Sequence, residues 1–322
     1  MMRPPPKEWP PDDPRRTPVT LRGAYVAAGY TDRALARMVR EGTLARARRG
    51  AYVAGPVWRD LDEEGRHSVR ARAVLAQAQA PGVLSHVSGL LEYECPVWGL
   101  DLSDVHVTRR DGRVGRQESG VRQHRGLIRP GDVVVRNGVA VMCPARLALE
   151  ATTIADTERA LAVVCDVLHR GLTTVDELST RYALMEQWPN TLGTQVVLRL
   201  ADPRIESIGE ARTLHLCFSQ QLPRPVPQVE IRDANGDIVA RVDFAWPELG
   251  AFLEFDGKVK YEKFLKEGER ASDVVIREKA REELICRLTG WRCIRITWAD
   301  LADPARTAAL IRRILYPAAT AA

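Results

Sequence analysis

Paired cysteines are missing from this chain. Its six cysteines (Cys95, Cys143, Cys165, Cys217, Cys286 and Cys293) form no CxxC pair and no metal-finger spacing. Each sits in an apolar context, which predicts buried free thiols and a reducing, cytoplasmic setting. Long apolar runs are missing as well. None reaches the roughly 18 residues that a membrane span needs, so no membrane partner is expected. The basic N-terminus is not followed by an apolar stretch, so no secretory signal is expected either. There is no internal repeat, no P-loop, no GxGxxG, no HExxH and no GxSxG, which sets aside nucleotide-binding, zinc-protease and serine-hydrolase chemistry. His86, in Ser85-His-Val-Ser88, reads as a satisfied structural histidine, and His124 and His215 show no partner at metal spacing.

What is present points to a multidomain α+β protein. At 322 residues, with 45% apolar and 28% charged residues, the chain has room for two or three domains of about 100–200 residues. Its net charge of +5 is mildly basic, so the location of the charge matters more than its sum. Residues 1–18 carry seven prolines and read as a disordered or extended arm. Residues 19–60 read as helix, turn, helix and hairpin. Thr31 caps a helix from Asp32 to Glu41 that Gly42 stops, and Leu44 to Val53 forms two short strands around Arg49-Gly50. This is the pattern of a winged helix-turn-helix. Residues 66–200 mix helices and strands into a middle α/β domain without a catalytic spacing. Residues 204–316 follow the order αβββαβα.

Two clusters carry the functional expectation. From Arg15 to Arg49 there are nine arginines against Asp32 and Glu41, a local balance of +7. Arg33, Arg37 and Arg40 recur at helical spacing on the second helix, and Arg46, Arg48 and Arg49 fall in the hairpin. A helix entering the major groove of double-stranded DNA with a basic wing on the phosphates needs these charges on these elements. The second cluster is Asp243, Glu254 and Asp256. Asp243 closes one apolar strand and Glu254 the next, with Pro-Glu-Leu-Gly between, and Glu254 and Asp256 share a face by strand alternation. Such carboxylates are costly together unless a cation compensates them. Glu210 lies on the helix expected beside them, and Lys258 and Lys260 follow. The set suits Mg²⁺ or Mn²⁺ and phosphodiester hydrolysis, with Asp243, Glu254 and Asp256 as metal ligands, Glu210 completing the shell and a lysine stabilising charge on phosphate. A solvated sheet edge paired to lysines is the competing reading. Lys279 or Arg281, on a later helix of mixed charge, could also touch this site.

The C-terminal order, with Glu206-Ser-Ile-Gly-Glu210, Val-Asp243-Phe, Glu254-Phe-Asp256-Gly257 and Gly-Trp-Arg-Cys-Ile-Arg-Ile-Thr-Trp298, resembles the PD-(D/E)XK nuclease superfamily in its very-short-patch-repair-like branch. That resemblance implies a restriction-endonuclease-like fold, strand acids holding Mg²⁺, and a lysine two residues after the second acid. Asp256 occupies that place here. The N-terminal segment, through Leu44-Ala-Arg-Ala-Arg-Arg-Gly-Ala-Tyr-Val53 and more weakly through Leu84-Ser-His-Val-Ser-Gly-Leu and Pro144-Ala-Arg-Leu-Ala-Leu-Glu, resembles AbiEi-type antitoxins. This implies operator binding, repression and a nucleotidyltransferase toxin as partner. The leading expectation is therefore a DNA-binding protein with a Mg²⁺-dependent endonuclease domain acting in phage defence or DNA repair, and the alternative is a repressor with an inactive nuclease-like domain. A homodimer would suit a winged-helix reader.

Overall fold

The computed structural model describes residues 7–111, 115, 117–185, 188–257 and 271–317, with no side-chain account for 271–276. The chain forms two compact units, Met1–Arg199 and Leu200–Ala322. It is a mixed α/β protein, and the described residues form three sheets of three, six and four strands. Among the described residues no helix is long and apolar enough to cross a membrane.

In the first unit, β1 (Thr20–Leu21), α1 (Arg22–Ala27), α2 (Asp32–Arg40), β2 (Leu44–Arg48) and β3 (Ala51–Ala54) come first. The strands form an antiparallel sheet in the order β1-β3-β2. Thr20 and Leu21 pair with Tyr52 and Ala51, so these two residues are strand and the first helix begins at Arg22. Thr31 caps α2 by accepting from the Ala34 amide at 3.2 Å. Gly50 takes φ +76° in the hairpin turn, a left-handed conformation that costs glycine little. Two helices follow, α3 (Gly55–Asp60) and α4 (Glu63–Gln77). α4 starts at Glu63, where Asp62 caps it by accepting the Gly65 amide at 2.8 Å. Ala47, Ala51, Val53, Leu61, Val69 and Ala73 form one core cluster that joins the hairpin to α4.

Residues 7–18 are not a disordered arm. Trp9 is 3% exposed, and its amide donates to the Asn137 side chain at 2.9 Å. The Arg15 guanidinium lies 3.8 Å from the Trp9 ring centroid, and Pro14–Arg16 forms a short 3-10 turn capped by Asp13. The prolines stiffen a segment that one buried aromatic anchors.

The rest of this unit contains β4 (Gly82–Leu84), α5 (His86–Leu91), β5 (Val105–Arg109), β6 (Gln117–Glu118), β7 (Val121–His124), β8 (Val133–Arg136) and β9 (Val139–Met142). The helices α6 (Pro144–Ile154), α7 (Thr157–His169), α8 (Val175–Tyr182) and α9 (Thr194–Leu200) follow. The sheet order is β6-β7-β5-β4-β9-β8. β5 and β7 run parallel, with Thr108 opposite His124 and His106 opposite Arg122. Alternation therefore puts His106 and His124 on one face.

The second unit runs α10 (Ile208–Ser219), β10 (Val226–Arg232), β11 (Ile238–Trp246), β12 (Ala251–Asp256), α11 (Ala271–Thr289), β13 (Arg292–Thr297), α12 (Trp298–Leu301) and α13 (Pro304–Leu315). The sheet order is β10-β11-β12-β13. The first three strands are antiparallel, and β12 pairs parallel with β13, placing Glu254 opposite Arg295. A parallel pair needs a crossover, and the chain from 257 to 291 containing α11 provides it. Phe252, Val242, Ala245, Ile231 and Ile285 share a core cluster. Gly209 is required where α10 meets the sheet, since a Cβ there would come within 2.1 Å of the Phe255 ring.

Candidate functional site

The basic cluster is on the surface. Arg33, Arg37 and Arg40 are exposed on α2, whose one buried residue, Leu35, holds the opposite face inward. Arg46 and Arg49 are exposed in the hairpin, while Arg48 is half-buried and donates to the Ser119 carbonyl at 3.4 Å. The local balance of +7 overstates the available charge. Arg22 pairs with Asp32 at 2.7 Å, and Arg15 pairs with Asp13 at 2.7 Å and Glu94 at 2.9 Å. Arg37 sits 3.8 Å from Glu41. Arg33, Arg40, Arg46 and Arg49 have no acidic partner among the described residues. Further along the unit, a cavity of about 650 Å³ is lined in part by Arg109, Arg110, Arg125 and Arg129, a basic surface with no single sequence motif.

The carboxylates of the second unit are arranged differently from their sequence expectation. Asp243 does not close its strand: it lies inside β11, next to the stretch 244–246 that pairs with β12. Its Oδ2 accepts the Phe255 amide at 2.9 Å, doing the work of a ladder carbonyl. Glu254 is buried at the centre of an arginine fork. Arg281 donates to its Oε1 at 2.6 Å, and Arg295 lies 3.6 Å from its Oε2. Arg281 also donates to the Arg241 carbonyl at 2.7 Å, and Arg295 to Glu282 at 2.9 Å, with Asp256 4.0 Å from Arg295. Burial pushes the Glu254 carboxyl above its ordinary range, Arg281 opposes this, and the nearby Asp243 charge adds to the rise. Arginines 27 and 41 residues downstream hold this acid among the described residues. Lys258 and Lys260 lie outside the described residues.

Glu210 is engaged in capping α10. Ser207 accepts the Glu210 amide at 3.1 Å and donates to Glu210 Oε1 at 2.7 Å. Glu210 Oε2 accepts the Glu206 amide at 3.0 Å and Gln228 Nε2 at 2.8 Å. Both oxygens are spent locally, so Glu210 is not offered to a shared metal shell. Magnesium demands near-octahedral oxygen ligation. With Glu254 held by two guanidiniums, Asp243 on an amide and Glu210 in a cap, the set as arranged does not fit that ion. Among the described residues no three carboxylates converge to ligand distance.

Three histidines do converge. His86, His106 and His124 each offer a ring nitrogen, and these atoms all lie within 4.8 Å of one another. His124 Nε2 is 3.0 Å from His106 Nδ1, and the His86 and His124 rings stack with centroids 3.7 Å apart. The Ser85 hydroxyl lies 3.1 Å from His86 Nδ1, and Glu150 accepts the His86 amide at 2.9 Å. Arg146 donates to Glu150 at 3.0 Å and Asp132 at 2.6 Å. Burial lowers all three histidines, His106 to about 3 and His124 to about 4, with neighbouring cations adding to the effect. The reading of His124 as having no partner is corrected here. Its partners come from separate strands and a helix start, a grouping that spacing along the chain cannot reveal.

No family model matches the chain. Uncharacterized proteins of two Mycobacterium tuberculosis strains, CDC 1551 / Oshkosh and ATCC 25618 / H37Rv, are each 27% identical to it over 180 residues, 56% of this chain. The match spans 63% of the length of those curated relatives.

Proposed function

We propose that this chain is a cytoplasmic DNA-binding regulator. Its N-terminal elements are read as a winged helix-turn-helix, with α2 entering the major groove, its arginines reaching the flanking phosphates, and the β2–β3 hairpin lying along the backbone. The observation that carries this reading is the exposed set Arg33, Arg40, Arg46 and Arg49, free of acidic partners among the described residues. An unpaired guanidinium gains most from an external anion, because it gives up no internal ion pair to bind it. In this reading the C-terminal unit has the restriction-endonuclease-like order, and the arginine fork on Glu254 makes it a binding rather than a cutting module. A homodimer would present two α2 helices to a two-fold site, and the AbiEi resemblance adds a nucleotidyltransferase toxin as candidate partner.

A second reading, a Mg²⁺- or Mn²⁺-dependent endonuclease, is favoured by one observation: Asp243 is close enough to Glu254 for its charge to raise that carboxyl. It requires Arg281 to leave Glu254. The two readings separate in one experiment. The protein is titrated into a labelled duplex from upstream of its own gene, and in parallel incubated with supercoiled plasmid and Mg²⁺ or Mn²⁺. Salt-sensitive binding with an intact plasmid supports the regulator. Nicking by the wild type that disappears in Asp243→Ala and Glu254→Ala supports the endonuclease; absence of duplex binding overturns the regulator, and absence of both binding and nicking overturns both.

A further inference from the structure

We infer that His86, His106 and His124 form a binding site for a borderline divalent transition-metal ion of the zinc class. The inference is independent of the DNA-binding reading. The three rings come from the start of α5, from β5 and from β7, so no local turn or cap accounts for their meeting. Tetrahedral zinc with Zn–N bonds of about 2.0–2.1 Å holds its ligand nitrogens roughly 3.3 Å apart. The observed nitrogens, 3.0 Å apart for the closest pair and within 4.8 Å as a set, are already near that separation. Lone pairs lie in the ring plane, so binding turns His86 and His124 out of their parallel stack.

The donor chemistry selects the ion. Neutral imidazoles suit zinc, cobalt, nickel and copper, whereas magnesium and calcium prefer oxygen. The support around them is also that of a ligand set. Glu150, 1% exposed, lies 3.6 Å from His86 Nδ1 and is itself fixed by Arg146. Glu150 accepts the His86 amide, and the ring's own hydrogen-bond partner is the Ser85 hydroxyl, so the position of His86 is fixed from its backbone and from Nδ1. His86 takes φ +50°, left-handed for a non-glycine residue, which is a backbone cost the surrounding structure sustains to aim this side chain. Three protein ligands leave the fourth tetrahedral position open to water or an outside donor, and the half-buried His124 marks the accessible side.

The test uses full-length protein purified without a histidine tag and stripped with a chelator. Zinc is titrated in competition with a chromophoric chelator, and cobalt is added separately while the visible spectrum is recorded. The inference expects one equivalent of zinc, a loss of affinity on the order of 100-fold in His106→Ala and in His124→Gln, and no change in His215→Ala. It also expects intense visible bands from four-coordinate, nitrogen-ligated cobalt in the wild type. That arm needs no variant, so it stands even if a substitution disturbs folding. Failure of the wild type to bind zinc, a pale octahedral cobalt spectrum, or full affinity in the folded His106→Ala/His124→Gln double variant would overturn it.

Discussion

The arginines of the α2–hairpin surface and those of the C-terminal sheet are the same residue put to opposite use. Arg33, Arg40, Arg46 and Arg49 stand in solvent without acidic partners among the described residues. Arg281 and Arg295 are spent on Glu254, Glu282 and a backbone carbonyl. A charge count makes both regions look like polyanion sites. Accounting for partners separates them, because only the first set can take up phosphate without abandoning a buried carboxylate. Arg146, held between Asp132 and Glu150, lies at the far end of the same scale.

The comparison breaks most visibly where an arginine is wholly internal. Arg146→Ala leaves Asp132 and Glu150 buried with less compensation, so it should cost about 3–5 kcal/mol of stability in urea unfolding. A loss under about 1 kcal/mol would mean that the internal pairs matter little. The exposed set should behave in reverse. Arg33→Ala/Arg37→Ala/Arg40→Ala should leave the unfolding midpoint within error and weaken duplex binding on the order of 100-fold, measured by anisotropy at fixed salt.

Acid should distinguish the units next. His67 is fully buried between Ser88 and the Leu102 carbonyl, and burial lowers it to about 4. The unfolded chain takes up its proton near pH 6.5, so stability is constant above that pH and falls as pH drops from about 6.5 to 4. Between pH 7 and pH 5 this one group should cost the first unit about 2 kcal/mol. His67→Gln should reduce that slope while leaving the share of His86, His106 and His124, and an unchanged slope would refute the assignment. Smallest is Arg281→Ala. With Arg281 about one-third exposed and Arg295 still at hand, it should destabilise the second unit by about 1 kcal/mol and leave duplex affinity unchanged. A drop in affinity would place Arg281 among the DNA contacts and weaken the contrast.

Much of the frame was legible in local sequence. The bounds of β11, Ile238–Trp246, and of α13, Pro304–Leu315, follow from alternation and from the Asp303-Pro304 start, and α2 follows from its Thr31 cap. What stayed hidden depends on long-range pairing. Trp9 meets Asn137 across 128 positions, Arg281 meets Glu254 across 27, and the histidines are brought together by β5–β7 pairing and the start of α5. Residue types at local spacing predict elements and faces, but which charge reaches which partner is decided by the sheet.

The most direct measurement is the salt dependence of binding to the upstream duplex, taken for the wild type, Arg33→Ala/Arg37→Ala/Arg40→Ala and Arg281→Ala. The account predicts a log–log slope shallower by about 2–3 in the triple variant, at roughly 0.9 per lost phosphate contact, and an unchanged slope in Arg281→Ala. Equal slopes for the triple variant and the wild type would contradict it.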